Sequence, residues 1–321
     1  MPRALVRRGA FLFFRCGMKI IRAKILGFCA GVRRAVLSAD KALTENAGSD
    51  SHVYTLGPLI HNPVALETLA KRNLKILSES GIAHLKQNDT VIIRAHGVPP
   101  ETEARIREKG VTVINATCPL VTKSQKTAAE YASQGYIIFF TGDKNHGEVV
   151  GIEGYARKAA KEAGRDLHFI LIKDSAELKA ALASLKNAGI CSERARVVLL
   201  SQTTFSSAVF EQLTAELLSS VPDATVISSI CPATHERQDS LVELCAHVDG
   251  VIVIGGKTSA NTNRLFITAQ KLCKNAVLIE TPEEIPERFF SLSTVGITAG
   301  ASTPDDTILA VEERLKRAVL S

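Results

Sequence analysis

Short β-branched runs recur along this chain at spacings that leave room for one helix between neighbours, and no other feature restricts its fold as much. The runs cover residues 52–56, 90–94, 111–115, 136–141, 167–173, 197–201, 225–229, 250–254, 276–280 and 294–298. Strands alternating with helices predict an α/β fold with mainly parallel sheets, because parallel neighbours need a crossover long enough to hold a helix. Runs that are apolar throughout, such as Val251-Ile252-Val253-Ile254, suit strands covered on both faces. Met18 opens one more strand pattern, Lys19-Ile20-Ile21. A chain of 321 residues that is 45% hydrophobic exceeds one ordinary core, so several small domains are expected.

The cysteines divide the chain. Cys29, Cys118 and Cys231 each stand just before an amphipathic helical pattern, carried by Val32, Val36, Ala39 and Leu43, by Val121, Ser124, Ala128 and Tyr131, and by Leu241, Cys245 and Val248. Pro119 and Pro232 take the first helical position, where a missing N–H costs nothing. Each separation is about the length of one small α/β domain. The reading is three modules, 18–117, 118–230 and 231–321, behind an unmatched extension, 1–17. Seven cysteines, an odd number without a secretory signal, argue for reduced thiols rather than a disulfide framework. There is no Cys-x-x-Cys, so any metal site is assembled from distant segments. Cys245 and Cys273 lie in apolar helical stripes and read as small hydrophobes, while Cys16 and Cys191 have no supporting context.

Charge excludes several classes. The net charge is +6, but Arg3, Arg7, Arg8, Arg15, Lys19, Arg22 and Lys24 stand in an opening stretch that contains no acid. The remainder is close to neutral and lacks the basic cluster with interleaved aromatics that a nucleic-acid binder needs. Residues 1–17 are Arg-rich with one apolar run, 10–14, shorter than a secretory signal requires, and they read as a start codon placed too early. No stretch approaches the ~20 apolar residues that span a bilayer. A cytoplasmic protein without nucleic-acid or membrane partners is expected.

A thiol at a helix N-terminus sits at the positive end of the peptide dipoles, which favours the metal-binding thiolate. Three such thiols on a cubane cluster would leave one iron open to a substrate oxygen; as buried small hydrophobes they would do nothing. His61, His96 and His146 each follow a predicted strand and precede Asn-Pro or Gly, where α/β folds gather ligand-binding residues, although each singly suits a structural role as well. Glu148, two residues after His146, is a proton donor if buried and an ordinary loop carboxylate if not. His146-Gly147-Glu148 resembles the His-x-Glu of zinc deaminases, but the Pro-Cys-x-x-Cys that should follow is missing. Two strand-loop-helix passages, Gly-Gly-Lys-Thr-Ser-Ala-Asn and Ala-Gly-Ala-Ser-Thr-Pro, offer backbone amides with Ser259, Asn261 and Ser302 to an anion, or supply plain N-caps.

Taken together, Gly-Phe-Cys-Ala-Gly-Val at Cys29, Ile-His-Asn-Pro at His61, Ala-His-Gly-Val at His96, Ala-Thr-Cys-Pro-Leu-Val at Cys118, Ser-Gln-Thr-Thr at Thr203 and the Ser259 to Asn261 segment resemble the 4-hydroxy-3-methylbut-2-enyl diphosphate reductase family, in family order over nearly the whole chain. The resemblance implies three α/β modules in pseudo-threefold arrangement around a central cluster. It implies that Cys29, Cys118 and Cys231 ligate one four-iron four-sulfur (4Fe-4S) cluster per chain, whose fourth iron meets the substrate hydroxyl. His61, His96, His146, Ser259, Asn261 and Ser302 would bind the diphosphate, and Glu148 and Thr203 would deliver protons. The implied reaction is reductive dehydroxylation to isopentenyl and dimethylallyl diphosphates, the last step of the non-mevalonate isoprenoid pathway, with electrons from an external ferredoxin or flavodoxin. Gly147 stands where the family usually has Pro, Thr258 where Asn is usual, and Ala260 where many members have a second Ser. Without the resemblance, the same residues also fit a zinc hydrolase using the three cysteines and Glu148, or an iron–sulfur sensor of a phosphorylated metabolite.

Overall fold

The structure is a computed structural model that describes residues 17–48, 50–190 and 195–320. Cys16 and Cys191 lie outside the described residues, as does nearly all of the extension. The chain opens with β1 (Lys19–Arg22) and α1 (Ala30–Glu45), then lays down β2 (Val53–Leu56), α2 (Pro63–Lys71), β3 (Leu74–Leu77), β4 (Thr90–Ile93), α3 (Pro100–Arg107) and β5 (Thr112–Asn115). There follow α4 (Pro119–Ser133), β6 (Ile137–Thr141), α5 (Gly147–Glu162), β7 (His168–Ile172), α6 (Ser175–Asn187), β8 (Val197–Ser201), α7 (Ser207–Ser220) and β9 (Thr225–Val226). The last stretch holds α8 (Pro232–Cys245), β10 (Gly250–Ile254), α9 (Ala260–Leu272), β11 (Asn275–Ile279), β12 (Thr294–Ala299) and α10 (Asp305–Leu320).

These strands form three parallel four-stranded sheets, ordered β3-β2-β4-β5, β7-β6-β8-β9 and β1-β12-β10-β11. Read from the opposite edge, the third sheet repeats the order of the other two, with β1 in the place of the fourth strand. Lys19 to Arg22 pair with Thr294 to Ile297. The strand expected to open module 18–117 therefore belongs to the sheet of module 231–321. The reason is geometric: in the other two sheets the fourth strand, β5 or β9, runs into Cys118 or Cys231 and then into a helix of the next module. A linear chain can close that ring only by lending its first strand to its last sheet, and β1 runs into Cys29 in the same way.

Each sheet is covered on both faces, as continuous apolar strands require. In β10, Ile252 and Ile254 face a core with Ile297, Val311 and Leu315, while Val251 and Val253 face Leu241, Leu265 and Ala269. In β6, Phe139 packs with Leu213 and Leu217 on one side, and Phe140 with Val149, Ile152 and Ala128 on the other. Because every strand pair is parallel, the carboxyl-terminal strand ends of each sheet lie along one edge, and in parallel α/β sheets that is where ligands gather. Cys245 and Cys273 are buried in the apolar core of the third module, as their stripes predicted. Among the described residues no helix is long and apolar enough to cross a membrane.

Candidate active site

The loops after β2, β4, β6, β8, β10 and β12 converge on one central cavity. Its wall contains Cys29, Cys118, Cys231, His61, His96, His146, Glu148, Thr203, Ser259, Asn261 and Ser302, so every residue singled out from the sequence reaches the same space.

The three cysteines are N-caps of α1, α4 and α8. Their backbone amides are fixed in one pattern: Cys118 N–H donates to the Ala95 carbonyl (2.9 Å), Cys231 N–H to Thr203 (2.8 Å) and Cys29 N–H to Ala301 (3.0 Å). Ala95, Thr203 and Ala301 each stand two residues beyond β4, β8 and β12, so each module's third strand positions the cysteine that opens the next helix. Cys29 Sγ also accepts from Val32 N–H at 3.4 Å. Gly31 is cut to fit these sulfurs: a Cβ there would lie 2.8 Å from Cys118 Sγ and 3.9 Å from Cys29 Sγ. The dipole argument predicts a depressed thiol pKa, but burial pushes the Cys231 thiol up, and the amides of Ala233 and Thr234 offset this only in part, with Cys29 and Cys118 adding to the rise. Desolvation outweighs the helix end here, so a metal would have to displace the proton itself. Three soft sulfurs on three rigid helix starts, with the space between them kept by a glycine, fit a cluster with one iron free of protein ligands.

The histidines form a second group. Ring centroids lie 4.6 Å (His61 to His96), 5.5 Å (His61 to His146) and 5.2 Å (His96 to His146) apart. One nitrogen from each comes within 4.8 Å of the others, a separation that could also hold a metal ion. Burial pushes all three below the ordinary imidazole range, His146 to about 4, and Arg94 lowers each of them further. The rings are therefore neutral at pH 7, with one N–H donor each. His61 Nε2 and His96 Nδ1 are buried and have no partner among the described residues, nor has Asn261 Nδ2 across the cavity. Unpaired buried polar atoms are costly, and an oxyanion would satisfy all three.

Glu148 is 1% exposed, so it is not a solvated loop carboxylate. It sits in the first turn of α5, after the N-cap His146, whose Nδ1 accepts from Glu148 N–H at 3.3 Å. Thr203 N–H donates to Oε1 (2.7 Å) and the Thr203 hydroxyl donates to Oε2 (2.8 Å). Burial pushes the carboxyl up to about 7, against the two Thr203 hydrogen bonds and the charge of Arg264, which pull it down. Desolvation wins and leaves an acid poised at neutral pH.

Ser259 caps α9, its Oγ accepting from Thr262 N–H at 3.3 Å, and it also lines the cavity, so both readings of this residue hold at once. Ser302 Oγ donates to the His61 carbonyl at 3.0 Å. Two arginines escaped the sequence reading. Arg237, 2% exposed, lies in the cavity wall and donates to the Gly27 carbonyl (2.7 Å) and the Ala233 carbonyl (3.1 Å). Its signal was a charge on the buried stripe of α8, between Thr234 and Leu241. Arg94, at the end of the apolar strand β4, lies against Gly57 and Gly147; a cation closing a continuous apolar run was its signal.

Known proteins share this arrangement. The profile of the LytB protein family matches residues 20–316. The 4-hydroxy-3-methylbut-2-enyl diphosphate reductase of Treponema denticola is 41% identical over 300 residues, covering 93% of this chain and 99% of the relative. That of Aquifex aeolicus is 40% identical, covering 92% and 96%. A solved structure of (E)-4-hydroxy-3-methyl-but-2-enyl diphosphate reductase, described as the terminal enzyme of the non-mevalonate pathway, superposes with a TM-score of 0.66 at 38% identity, covering 94% of this chain and 99% of that one. The Plasmodium falciparum reductase, at 24% identity, shares the fold with a TM-score of 0.81, covering 92% and 87%. With the profile spanning both ends of the three-module body and relatives aligned over almost their full lengths, the chain belongs to the LytB protein family.

Proposed function

We propose that this chain is an oxidoreductase that removes the hydroxyl group of 4-hydroxy-3-methylbut-2-enyl diphosphate, giving isopentenyl and dimethylallyl diphosphates. The observation that carries the reading is the meeting, in one cavity, of three cysteines at helix N-cap positions with a buried carboxyl whose pKa is pushed up to about 7. Its family relatives named for this reaction support it. Cys29, Cys118 and Cys231 would hold one 4Fe-4S cluster, which when bound supplies electrons and a Lewis-acidic iron.

The chain's own residues account for the rest. His61, His96 and His146 present neutral N–H donors, and Asn261, Ser259 and Ser302 add an amide and two hydroxyls, so the diphosphate is clamped by side chains from all three modules. Hydrogen bonds of this kind orient a ligand without competing for its proton. Glu148 holds a proton on Oε2 when neutral; that O–H then donates to Thr203 Oγ1, and the threonine's own hydrogen turns toward the cavity. A departing hydroxyl needs this proton, because hydroxide is a poor leaving group and arriving electrons make the site more negative. Apolar walls from Ile60, Val32 and Val121 exclude water around the hydrocarbon part. An external ferredoxin or flavodoxin would supply the two electrons.

Purification without oxygen, metal and sulfide analysis, and turnover with reduced viologen test the reading. A brown, sulfide-containing protein that forms both products is expected. Zinc without sulfide would replace it with the hydrolase, and a cluster without turnover would replace it with the sensor.

A further inference from the structure

Arg94 is half-buried and, among the described residues, makes no ion pair and no side-chain hydrogen bond; its Nε is buried without a partner. A guanidinium whose Nε is shut off from both water and partners is only partly hydrated, and a counter-charge beside it is favoured. Glu79 is the one carboxylate that acts on it, and Glu79 is exposed and within 4.0 Å of Arg105 instead. Arg94 is held where it is by two missing side chains. A Cβ on Gly57 would lie 2.8 Å from its Nη1, and one on Gly147 would lie 2.8 Å from its Cζ and overlap Nη2. The slot opens behind His61, His96 and His146, all three of which feel the arginine's charge. Those rings are neutral, and the remaining cation close to them, Arg264, is paired with Asp143 at 2.7 Å. Arg237 donates to carbonyls on the cysteine side of the cavity.

We infer that Arg94, seated against Gly57 and Gly147 behind the histidine cluster, is a positioning and charge-supplying residue that gives the neutral histidine site its affinity for the diphosphate group. This rests on the functional reading above and adds the source of the site's positive charge. The same charge opposes a metal ion between the histidines and any proton on them, so the cluster accepts an anion rather than a cation.

Calorimetric titration of the cluster-loaded protein with inorganic diphosphate at pH 6 and pH 8 tests it. Arg94→Met should weaken binding about tenfold or more at pH 8, since a charge-assisted partner is lost from a partly desolvated site. Removing the cation takes away the one cause besides burial that holds His61 down, so at pH 6 His61 takes up more charge and the deficit relative to the native protein shrinks, while His96 and His146, held down chiefly by burial, stay neutral. Asp143 and Arg264, beside His146, and Glu79, beside Arg94, are untouched in both proteins. Arg94→Lys should retain most of the affinity, which a purely structural role would not allow. Gly147→Ala, which keeps the cation but fills its slot, should lose affinity in the same direction. Native-like binding by Arg94→Met at pH 8 overturns the inference, as does a loss equal in Arg94→Met and Arg94→Lys and unchanged at pH 6. If the native holoenzyme itself does not bind diphosphate, the functional reading falls with it.

Discussion

Replacing Glu148 by Gln preserves the side chain's length and its bond from Thr203 N–H, and it lets the new amide donate to Thr203 Oγ1 as the neutral acid would. Only the transferable proton is lost. Holding a carboxyl at about 7 instead of 4.5 makes its ionised form about 3 kcal/mol less favourable in the folded protein than in the unfolded chain. Because the folded pKa lies above the unfolded one, the acid's contribution to stability is complete below about pH 4.5 and is lost as pH rises through about 7. The glutamine variant has no such loss, so cluster-free Glu148→Gln should gain stability over the native chain between those values, levelling near the same ~3 kcal/mol above them. Single-turnover rate with reduced viologen should fall about 10²–10⁴-fold at matched cluster occupancy, with substrate affinity little changed. The native rate should itself decline as pH rises through about 7, where the acid form disappears. Urea unfolding at several pH values and stopped single turnovers measure both. Near-normal turnover refutes the acid role and moves suspicion to Thr203; a stability difference that does not vary with pH refutes the raised pKa.

Three further outcomes follow from the same geometry. Cys118→Ser should lower iron and sulfide content after anaerobic reconstitution, whereas Cys245→Ser, in the third module's core, should not; full cluster retention in Cys118→Ser would remove the ligand assignment. His146→Asn should raise the substrate dissociation constant while leaving turnover of bound substrate less affected than Glu148→Gln does, as a paired binding and single-turnover measurement would show. A chain beginning at Lys24 lacks β1, bares the edge of β12 and frees the segment leading to Cys29, so it should aggregate or lose its cluster; a soluble protein with a full cluster would contradict the ring closure.

Much of this architecture is written in local patterns. Nine of the ten β-branched runs recover as strands shifted by a residue or less at most ends, because a strand buried on both faces must be apolar along its whole length. The exceptions have physical causes. Leu74–Leu77 escaped notice because only its outer leucines are buried and Lys75 and Ile76 face solvent, as on an edge strand. The run at 225–229 shrinks to Thr225–Val226, since beyond Val226 the backbone ladder ends with Ile227 N–H on the Leu199 carbonyl, and Ser229 N–H turns to the Ser201 hydroxyl instead. The swap of β1 into the third sheet leaves no local trace: it depends on which edge is free after the other sheets close. Site residues that carry chemistry in their side-chain type, the cysteines, histidines and Glu148, were legible for the opposite reason. Arg94 and Arg237 were not, because what distinguishes them is tertiary: Arg237 bonds to the carbonyl of Gly27, far away in the chain, and Arg94 fills a slot whose glycines 57 and 147 show their purpose only once a side chain is imagined on them.

The three modules also explain how a symmetric frame yields an asymmetric reaction centre. Corresponding positions can be matched by their strands: α2, α5 and α9 follow β2, β6 and β10, and their N-caps are Asn62, His146 and Ser259. Two residues beyond the caps stand Val64, Glu148 and Asn261, of which the last two are buried against the cavity, 1% and 4% exposed. One frame position thus carries an acid in the second module and an amide in the third. The backbone alone sets where these groups point, so the symmetric part of the fold, the pattern Ala95, Thr203 and Ala301 that ties down the three cysteines, can stay fixed while the side chains diverge. The divergence is directional. Histidines and Arg94 gather between the first and second modules, hydroxyls and the Asn261 amide on the third, and the single titratable carboxyl in the second, bound to Thr203 whose carbonyl also holds Cys231. If the histidines and Asn261 hold the diphosphate as proposed, the other end of the ligand would face Glu148 and the thiols, and the orientation of the substrate would follow from which module received which side chain.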